Sequence, residues 1–226
     1  MRPEFFVLLL IGIIAIVLTI VGISFHLERK RRDRMQQLGR ELGFDCLAVL
    51  PDSLDGWRSR FTLFSSGRKP EATNVLQRQV GDLQVLLFDY AYTTGSGKHQ
   101  HRHKQTVAVF QSPLLRLPQF RMTPEGWMSR VGELFGSQDI DFADDPEFSR
   151  AFKLSGTQEA RIRELLGPEP RAALLTQRKF SVEACDECLI VWTQDHRPAP
   201  DLLRTFFEQA FTVYSALKSN TAATGG

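Results

Sequence analysis

The 226-residue chain is poor in the features that announce most function classes. It has three cysteines, Cys46, Cys185 and Cys188, and an odd, low count excludes a disulfide framework while agreeing with a reducing compartment. No Gly-x-Ser-x-Gly elbow and no His-Glu-x-x-His pair occurs, which removes two compact hydrolase signatures. No internal repeat is present. Charge of one sign is also missing, with 28 basic and 26 acidic residues. Arg2, Arg29, Lys30, Arg31, Arg32 and Arg34 stand against Glu4, Glu28 and Asp33 near the N-terminus, which leaves 22 basic and 23 acidic residues for the remainder. The alkaline pI therefore belongs to one short flank. The rest has no electrostatic footprint for nucleic acid and no basic stripe interleaved with aromatics.

Apolar residues, by contrast, crowd into one run. Residues 5–25 read FFVLLLIGIIAIVLTIVGISF without a charge. At about 1.5 Å of rise per residue such a helix reaches roughly 31 Å, the thickness of a bilayer's hydrocarbon core. A helix also leaves no backbone amide unpaired in lipid. A cleaved signal peptide has a shorter apolar stretch, a basic start and a small-residue cleavage site, whereas here the basic cluster follows the run. The sequence thus predicts a short flank over 1–4 and a transmembrane helix over 5–25, with the lipid bilayer as first partner. Arg29, Lys30, Arg31, Arg32 and Arg34 form a topology-determining cluster. Positive-inside bias keeps them and all that follows in the cytoplasm, with the N-terminus outside the inner membrane. The same cluster offers contacts to anionic lipid head groups.

Met35, Leu38 and Leu42 keep a helical spacing and Gly43 offers a stop, so a basic stalk helix is expected over 26–42. A soluble domain then fills 43–218, and the small, polar stretch 219–226 reads as a disordered tail. Residues 60–65 alternate, with Phe61, Leu63 and Ser65 on one side. Gly81 and Asp82 form a two-residue turn between strands 75–80 and 83–92. In the second of these Leu86, Phe88, Tyr90 and Tyr92 share one face and Val85, Leu87 and Ala91 the other, which predicts a central strand covered on both sides. A polar loop over 93–104 leads to a short strand, 106–111. Thr123, Pro124 and Glu125 read as a helix start for Trp127, Met128, Val131, Leu134 and Phe135. Ser155 to Gln158 resembles a capping box for Ile162, Leu165 and Leu166, with Gly167 and Pro168 as a stop. Strands 180–185 and 188–192 make a second hairpin. Asp201 opens a last helix with a buried stripe of Leu203, Phe207, Ala210, Phe211, Tyr214 and Leu217. Strands and helices do not alternate as βαβ units would, so the fold class is α+β with a mostly antiparallel sheet.

Four motifs invite chemistry. Gly95, Ser96, Gly97 and Lys98 follow a hydrophobic strand, but a phosphate loop needs an earlier glycine where Tyr92 stands and a hydroxyl where His99 stands. His99, His101 and His103 alternate and offer three imidazoles to zinc, yet Lys98, Arg102 and Lys104 lie beside them, and solvated loop histidines are the simpler reading. Cys185 and Cys188 form a lone CxxC without the helix N-terminus that stabilises a thiolate. Their spacing suits a hairpin turn. Asp139, Asp141, Asp144, Asp145 and Glu147 lack the sixth-position glycine of a calcium loop and read as capping residues. No catalytic, cofactor or metal residue is assigned on these grounds.

The stretches Asn74-Val-Leu, Phe88-Asp-Tyr-Ala-Tyr92-Thr-Thr-Gly-Ser-Gly-Lys98 and Gln105-Thr-Val107, with Leu117-Pro-Gln-Phe120 and Pro146-Glu-Phe-Ser149 further on, resemble an uncharacterised group of bacterial single-pass membrane-anchored proteins. The resemblance covers most of residues 38 to 217. It implies a bacterial source and carries no activity with it. The expectation is a membrane-tethered interaction or scaffold domain on the cytoplasmic face, with a protein partner. Two alternatives stay open. One is a hydrolase or transferase whose dispersed residues, such as Asp89, Tyr90, Tyr92 and His99, line a deep pocket. The other is a metal or redox sensor built on Cys185 and Cys188.

Overall fold

Helix α1 (Pro3–Leu42) carries the apolar run and the expected stalk as one unbroken element of 40 residues. In this computed structural model, which describes residues 3–51, 54–126 and 139–223, α1 is the one described helix long and apolar enough to cross a membrane. Its large apolar side chains from Leu10 to Leu27 stand 49–74% exposed. Thr19 turns its hydroxyl back to the Ala15 carbonyl at 2.8 Å, so this hydroxyl within the apolar run is satisfied by the helix itself. The helix ends as a glycine stop should. Gly43 takes φ +69°, Phe44 N donates to Gly39 O at 2.7 Å and Gly43 N to Arg40 O at 3.4 Å, the paired bonds of a Schellman close.

Strands β1 (Asp45–Leu47), β2 (Arg68–Val80), β3 (Leu83–Thr94), β4 (His101–Gln111), β5 (Leu117–Pro124), β6 (Phe152–Gly156), β7 (Ser181–Asp186) and β8 (Cys188–Trp192) form one sheet. Its order is β1-β2-β3-β4-β8-β7-β5-β6, and every pairing is antiparallel. With the helices α2 (Leu54–Arg58), α3 (Thr62–Ser65), α4 (Pro146–Ala151), α5 (Glu159–Leu165), α6 (Pro168–Leu175) and α7 (Leu203–Ala223), the chain is α+β with an antiparallel sheet, as the order of its elements implies.

The central strands are buried on both faces. Val85, Leu87, Ala108 and Phe110 belong to one core with Met35 and Leu38 of α1 and Val213 and Tyr214 of α7, where Phe110 stacks on Tyr214 at 4.8 Å. Leu86, Phe88, Tyr90 and Tyr92 belong to a second core under α2 and α3, where Phe64 meets both Trp57 and Tyr90 at 5.1 Å. Period-two alternation on β3 sorts these sets, and each large side chain so buried contributes about 1.5–3 kcal/mol. Met35 and Leu38 therefore make the end of α1 part of the domain's core, not a stalk that holds it at a distance.

Several local expectations give way to tertiary pairing. Half of the loop expected over 93–104 is ladder, because register continues to Thr94 opposite His101 and the polar side chains there find partners across it. The turn that remains needs Gly95, at φ +71°, where a Cβ would lie 2.1 Å from the His99 carbonyl oxygen. Residues 62–65 form α3 rather than a strand; their apolar side chains face the second core from a single turn. Thr123 and Pro124 lie in β5, opposite Lys153 and Phe152, so pairing with β6 overrides the helix-start signal. The apolar positions 127–135 lie outside the described residues. Ser155 and Gly156 end β6, α5 begins without a side-chain cap, and Gly167 and Pro168 start α6 instead of only ending its predecessor. A 3-10 turn at Pro200–Leu202 precedes α7, whose helical backbone reaches Ala223. Its buried seam is Leu203, Phe206, Ala210, Val213, Tyr214 and Leu217, whereas Phe211 is 41% exposed. The seam faces the sheet at spacings of three and four, and Phe207, partly buried against the same core, packs edge-on to Phe44 at 5.4 Å.

Candidate membrane-proximal site

Two contacts set how α1 lies on the sheet. Gly39 allows close approach to β2, since a Cβ there would sit 2.9 Å from Leu76 Cδ2. Two turns nearer the apolar run, Arg31 turns inward and is 7% exposed. Asp89 meets it from β3, on the same face as Val85 and Leu87. Arg31 Nε donates to Asp89 Oδ2 at 2.6 Å and Nη2 to Oδ1 at 2.7 Å, the parallel fork that guanidinium and carboxylate geometry favours. Nη2 also donates to Thr106 Oγ1 at 2.9 Å, and that hydroxyl donates onward to Asp89 Oδ1 at 2.9 Å. Nη1 donates to the Pro198 carbonyl at 2.6 Å.

Asn74 closes the cluster. Its Nδ2 donates to Asp89 Oδ2 at 3.0 Å. It sits at φ 55°, where register shifts between Thr73 and Leu76, and asparagine tolerates that left-handed conformation better than most residues. A bulge of this kind re-aims one side chain. Asp89 thus accepts two bonds on each oxygen. A carboxylate so occupied has no lone pair left for taking a substrate proton; it is a clasp.

Outside the clasp lies a cleft of about 300 Å³ in whose lining Arg32, Arg102, Lys104 and Arg197 face Glu28, Glu71 and Asp89. Arg197 donates to both oxygens of Glu28, at 3.0 and 2.7 Å, and Lys104 stands 3.7 Å from the same carboxylate. Arg102 pairs with Glu71. The order of these contacts gives the direction of the domain. Gly39 meets Leu76, Arg31 meets Asp89 and Glu28 meets Lys104, so each step along α1 toward its apolar run is a step toward the β3–β4 turn. Phe25 is six residues from Arg31, about 9 Å of helix. The β3–β4 turn, with Lys98 and His99, therefore lies at the end of the domain nearest the apolar run.

Of the basic cluster, Arg29, Lys30, Arg32 and Arg34 are exposed and Arg31 is buried. In the sequence Arg31 stands as an equal among its basic neighbours. The available signal was its spacing from Met35 and Leu38, which puts it on the buried helical face. Asp89 had a similar signal, a carboxylate on an apolar strand face that demands a partner. The four residues grouped for an enzyme do not share this cleft: Asp89 and Tyr90 border it, but Tyr92 and His99 are not in its lining. The Tyr90 ring lies in the other core, and burial pushes its phenol well above the usual range.

The remaining motifs fall into place without shared chemistry. Cys185 and Cys188 oppose each other across the β7–β8 turn and are buried, while Cys46 is exposed. Burial, with help from Asp186, raises the Cys185 thiol against the opposing pull of Arg60. A maleimide should therefore label Cys46 quickly in the native protein and the pair only after unfolding. Equally fast labelling of Cys185, read by peptide mass, would contradict this. Gly95 accepts from Arg68 Nη2 at 2.7 Å, and strand β4, not a phosphate-cradling helix, follows Lys98. In the acidic segment Asp145 accepts from Phe148 N at 3.0 Å, Asp139 accepts from Leu154 N at 2.9 Å, and Asp144 pairs with Arg171 at 2.7 Å. These are caps and ion pairs. Of the histidines, His99 ends the 3-10 turn Gly97–His99, whereas His101 and His103 lie on β4 and meet Asp195.

No protein-family model matches the chain, and no curated protein does. Among solved structures it is similar to the crystal structure of the mycobacterial trehalose monomycolate transport factor A, with a TM-score of 0.61 and 13% identity, over 85% of this chain and 94% of that one. At that identity the likeness concerns the fold, which the two share over nearly their full lengths.

Proposed function

We propose that this chain is a bacterial membrane-tethered scaffold: a single-pass anchor whose domain is held in fixed orientation on the cytoplasmic face, where it docks a protein partner. The observation that carries this reading is the continuity of α1 from an exposed apolar run into the domain's own core, locked by the Arg31–Asp89 clasp. An enzyme that needs only to be near a membrane tolerates a flexible linker. A scaffold that presents a surface to neighbours in the same membrane gains from rigid mounting, because ordering is then complete before binding. The similar fold of a protein named for transport of trehalose monomycolate supports an accessory role in a membrane assembly. Arg29, Lys30, Arg32 and Arg34, all exposed, set the orientation and meet anionic head groups, at about 1 kcal/mol for each basic side chain near the surface.

Crosslinking in native membranes, followed by recovery of the same membrane protein in repeated experiments, is the expected result. Turnover of a small molecule by the purified protein would overturn the scaffold reading. Orientation has its own test. Protease added outside intact cells should leave the C-terminal domain whole, and replacing Arg29, Lys30, Arg32 and Arg34 together by glutamine should expose a fraction of it.

A further inference from the structure

The hairpin nearest the apolar run separates its charges by strand alternation. On β4, Arg102 and Lys104 turn toward α1, to Glu71 and Glu28, while His101 and His103 turn to the opposite face. The cations that neighbour the histidines in sequence are thus turned to the other face of the strand. Asp195, in the turn after β8, completes a group there. His103 Nδ1 lies 2.7 Å from Asp195 Oδ1, His101 Nε2 lies 3.8 Å from Oδ2, and the three ligand atoms are all within 4.8 Å of one another.

We propose that His101, His103 and Asp195 hold one zinc-class divalent transition metal ion, with water completing its coordination. Two imidazoles and a carboxylate are a donor set for such ions, not for magnesium or calcium, which favour oxygen throughout. A tetrahedral ion with bonds of about 2.0–2.2 Å spaces its ligand atoms by about 3.3–3.5 Å. The 2.7 Å separation must open and the wider ones must close, by no more than about 1.5 Å, within reach of side-chain rotation.

The surroundings hold these donors as ligands are held. His103 Nε2 is 2.8 Å from Thr94 Oγ1, and that hydroxyl can accept from Nε2–H once an ion takes the place of the proton shared by Nδ1 and Asp195, the outer hydrogen bond a ligating histidine uses. Tyr92 stacks on the imidazole at 4.6 Å. Its hydroxyl accepts from Gln194 at 3.1 Å, and Gln194 accepts from Trp192 at 2.9 Å, so the ring plane is fixed from the buried sheet. Asp195 takes φ 50°, a left-handed conformation uncommon for a residue with a side chain. An Asp–His hydrogen bond alone accounts for His103 but not for the convergence of His101, whose side chain is 66% exposed and leaves the ion open to water. The ion fastens β4 to the segment that carries Arg197 and Pro198, the partners of Glu28 and Arg31.

The test uses the full chain in detergent, without a histidine tag and after treatment with a chelator. Calorimetric titration with zinc should show one ion per chain. His101→Ala, at an exposed position that leaves the fold intact by circular dichroism, should weaken binding at least tenfold. His99→Ala should leave it unchanged, and Thr94→Val should weaken it by about tenfold, the effect of losing a ligand's outer hydrogen bond. Cobalt should give a ligand-field spectrum without a thiolate charge-transfer band. Absence of stoichiometric binding, indifference to His101→Ala, or a thiolate band that assigns the metal to Cys185 and Cys188 would each overturn the proposal.

Discussion

Asp89→Ala should destabilise the protein by about 3–5 kcal/mol, the cost of leaving one partner of a buried ion pair behind. Arg31 would keep its charge in a site shielded from water, and Thr106 and Asn74 would lose the acceptor that orients them. The side chains of the pair are 8% and 3% exposed, so solvent does not screen the loss. The double variant Arg31→Met, Asp89→Leu removes both charges and should be less damaged than the sum of the two single changes. Urea unfolding of the detergent-solubilised full chain measures all three. A second readout is local. With the clasp gone, the end of α1 should lift from the sheet, and limited proteolysis should begin to cut within residues 26–34. An Asp89→Ala protein as stable as the parent, with this segment still protected, would remove the basis for a rigid mount.

Glu183 carries the second large effect, and it depends on pH. It lies in β7 beneath α3, where burial pushes its carboxyl from 4.5 up to about 7, against the opposing pull of Arg121 and the backbone N–H groups of Leu63 and Thr62. Arg121 Nη1 is 3.5 Å from Glu183 Oε1, too far for a strong charge-assisted bond, so desolvation wins. An acid with a raised folded pKa binds more protons in the native state than in the unfolded one. Its ionisation therefore weakens the fold progressively as pH rises from about 4.5 to about 7, and by a constant amount above that. Each unit of difference is about 1.4 kcal/mol. Glu183→Gln should thus gain stability over the parent by about 2–3 kcal/mol more at pH 8 than at pH 5. Parallel unfolding curves at the two pH values would show it; a difference independent of pH would mean that Glu183 is ionised throughout.

Much of the fold was legible because period and punctuation carry it. Alternation on residues 83–92 separated the two faces of β3 correctly, Gly81 at φ +56° closes the expected hairpin, and Gly43 ends α1 where the spacing of Met35 and Leu38 implied. What failed were places where a short local signal competed with a long-range pairing. Thr123 and Pro124 look like a helix start and became the end of a strand because β6 pairs with them. Polar residues 93–104 look like a loop, and its two ends became ladder because Thr93 and Arg102 satisfy each other across it, Nη1 to Oγ1 at 3.3 Å. The candidate sites were harder to see for the same reason. Arg31 and Asp89 are 58 positions apart, and Asp195 is 92 positions from His103. No motif spans such separations. Only the faces on which Arg31, Asp89 and His103 fall, one on a helix and two on strands, hint at the meetings.

A bilayer thinner than the apolar run makes a helix tilt, and the unbroken α1 turns that tilt into motion of the whole sheet. With no hinge between anchor and core, the angle at which the domain stands on the membrane follows the thickness of the lipid beneath it. Changes in acyl-chain length would then alter which of its surfaces neighbouring proteins meet.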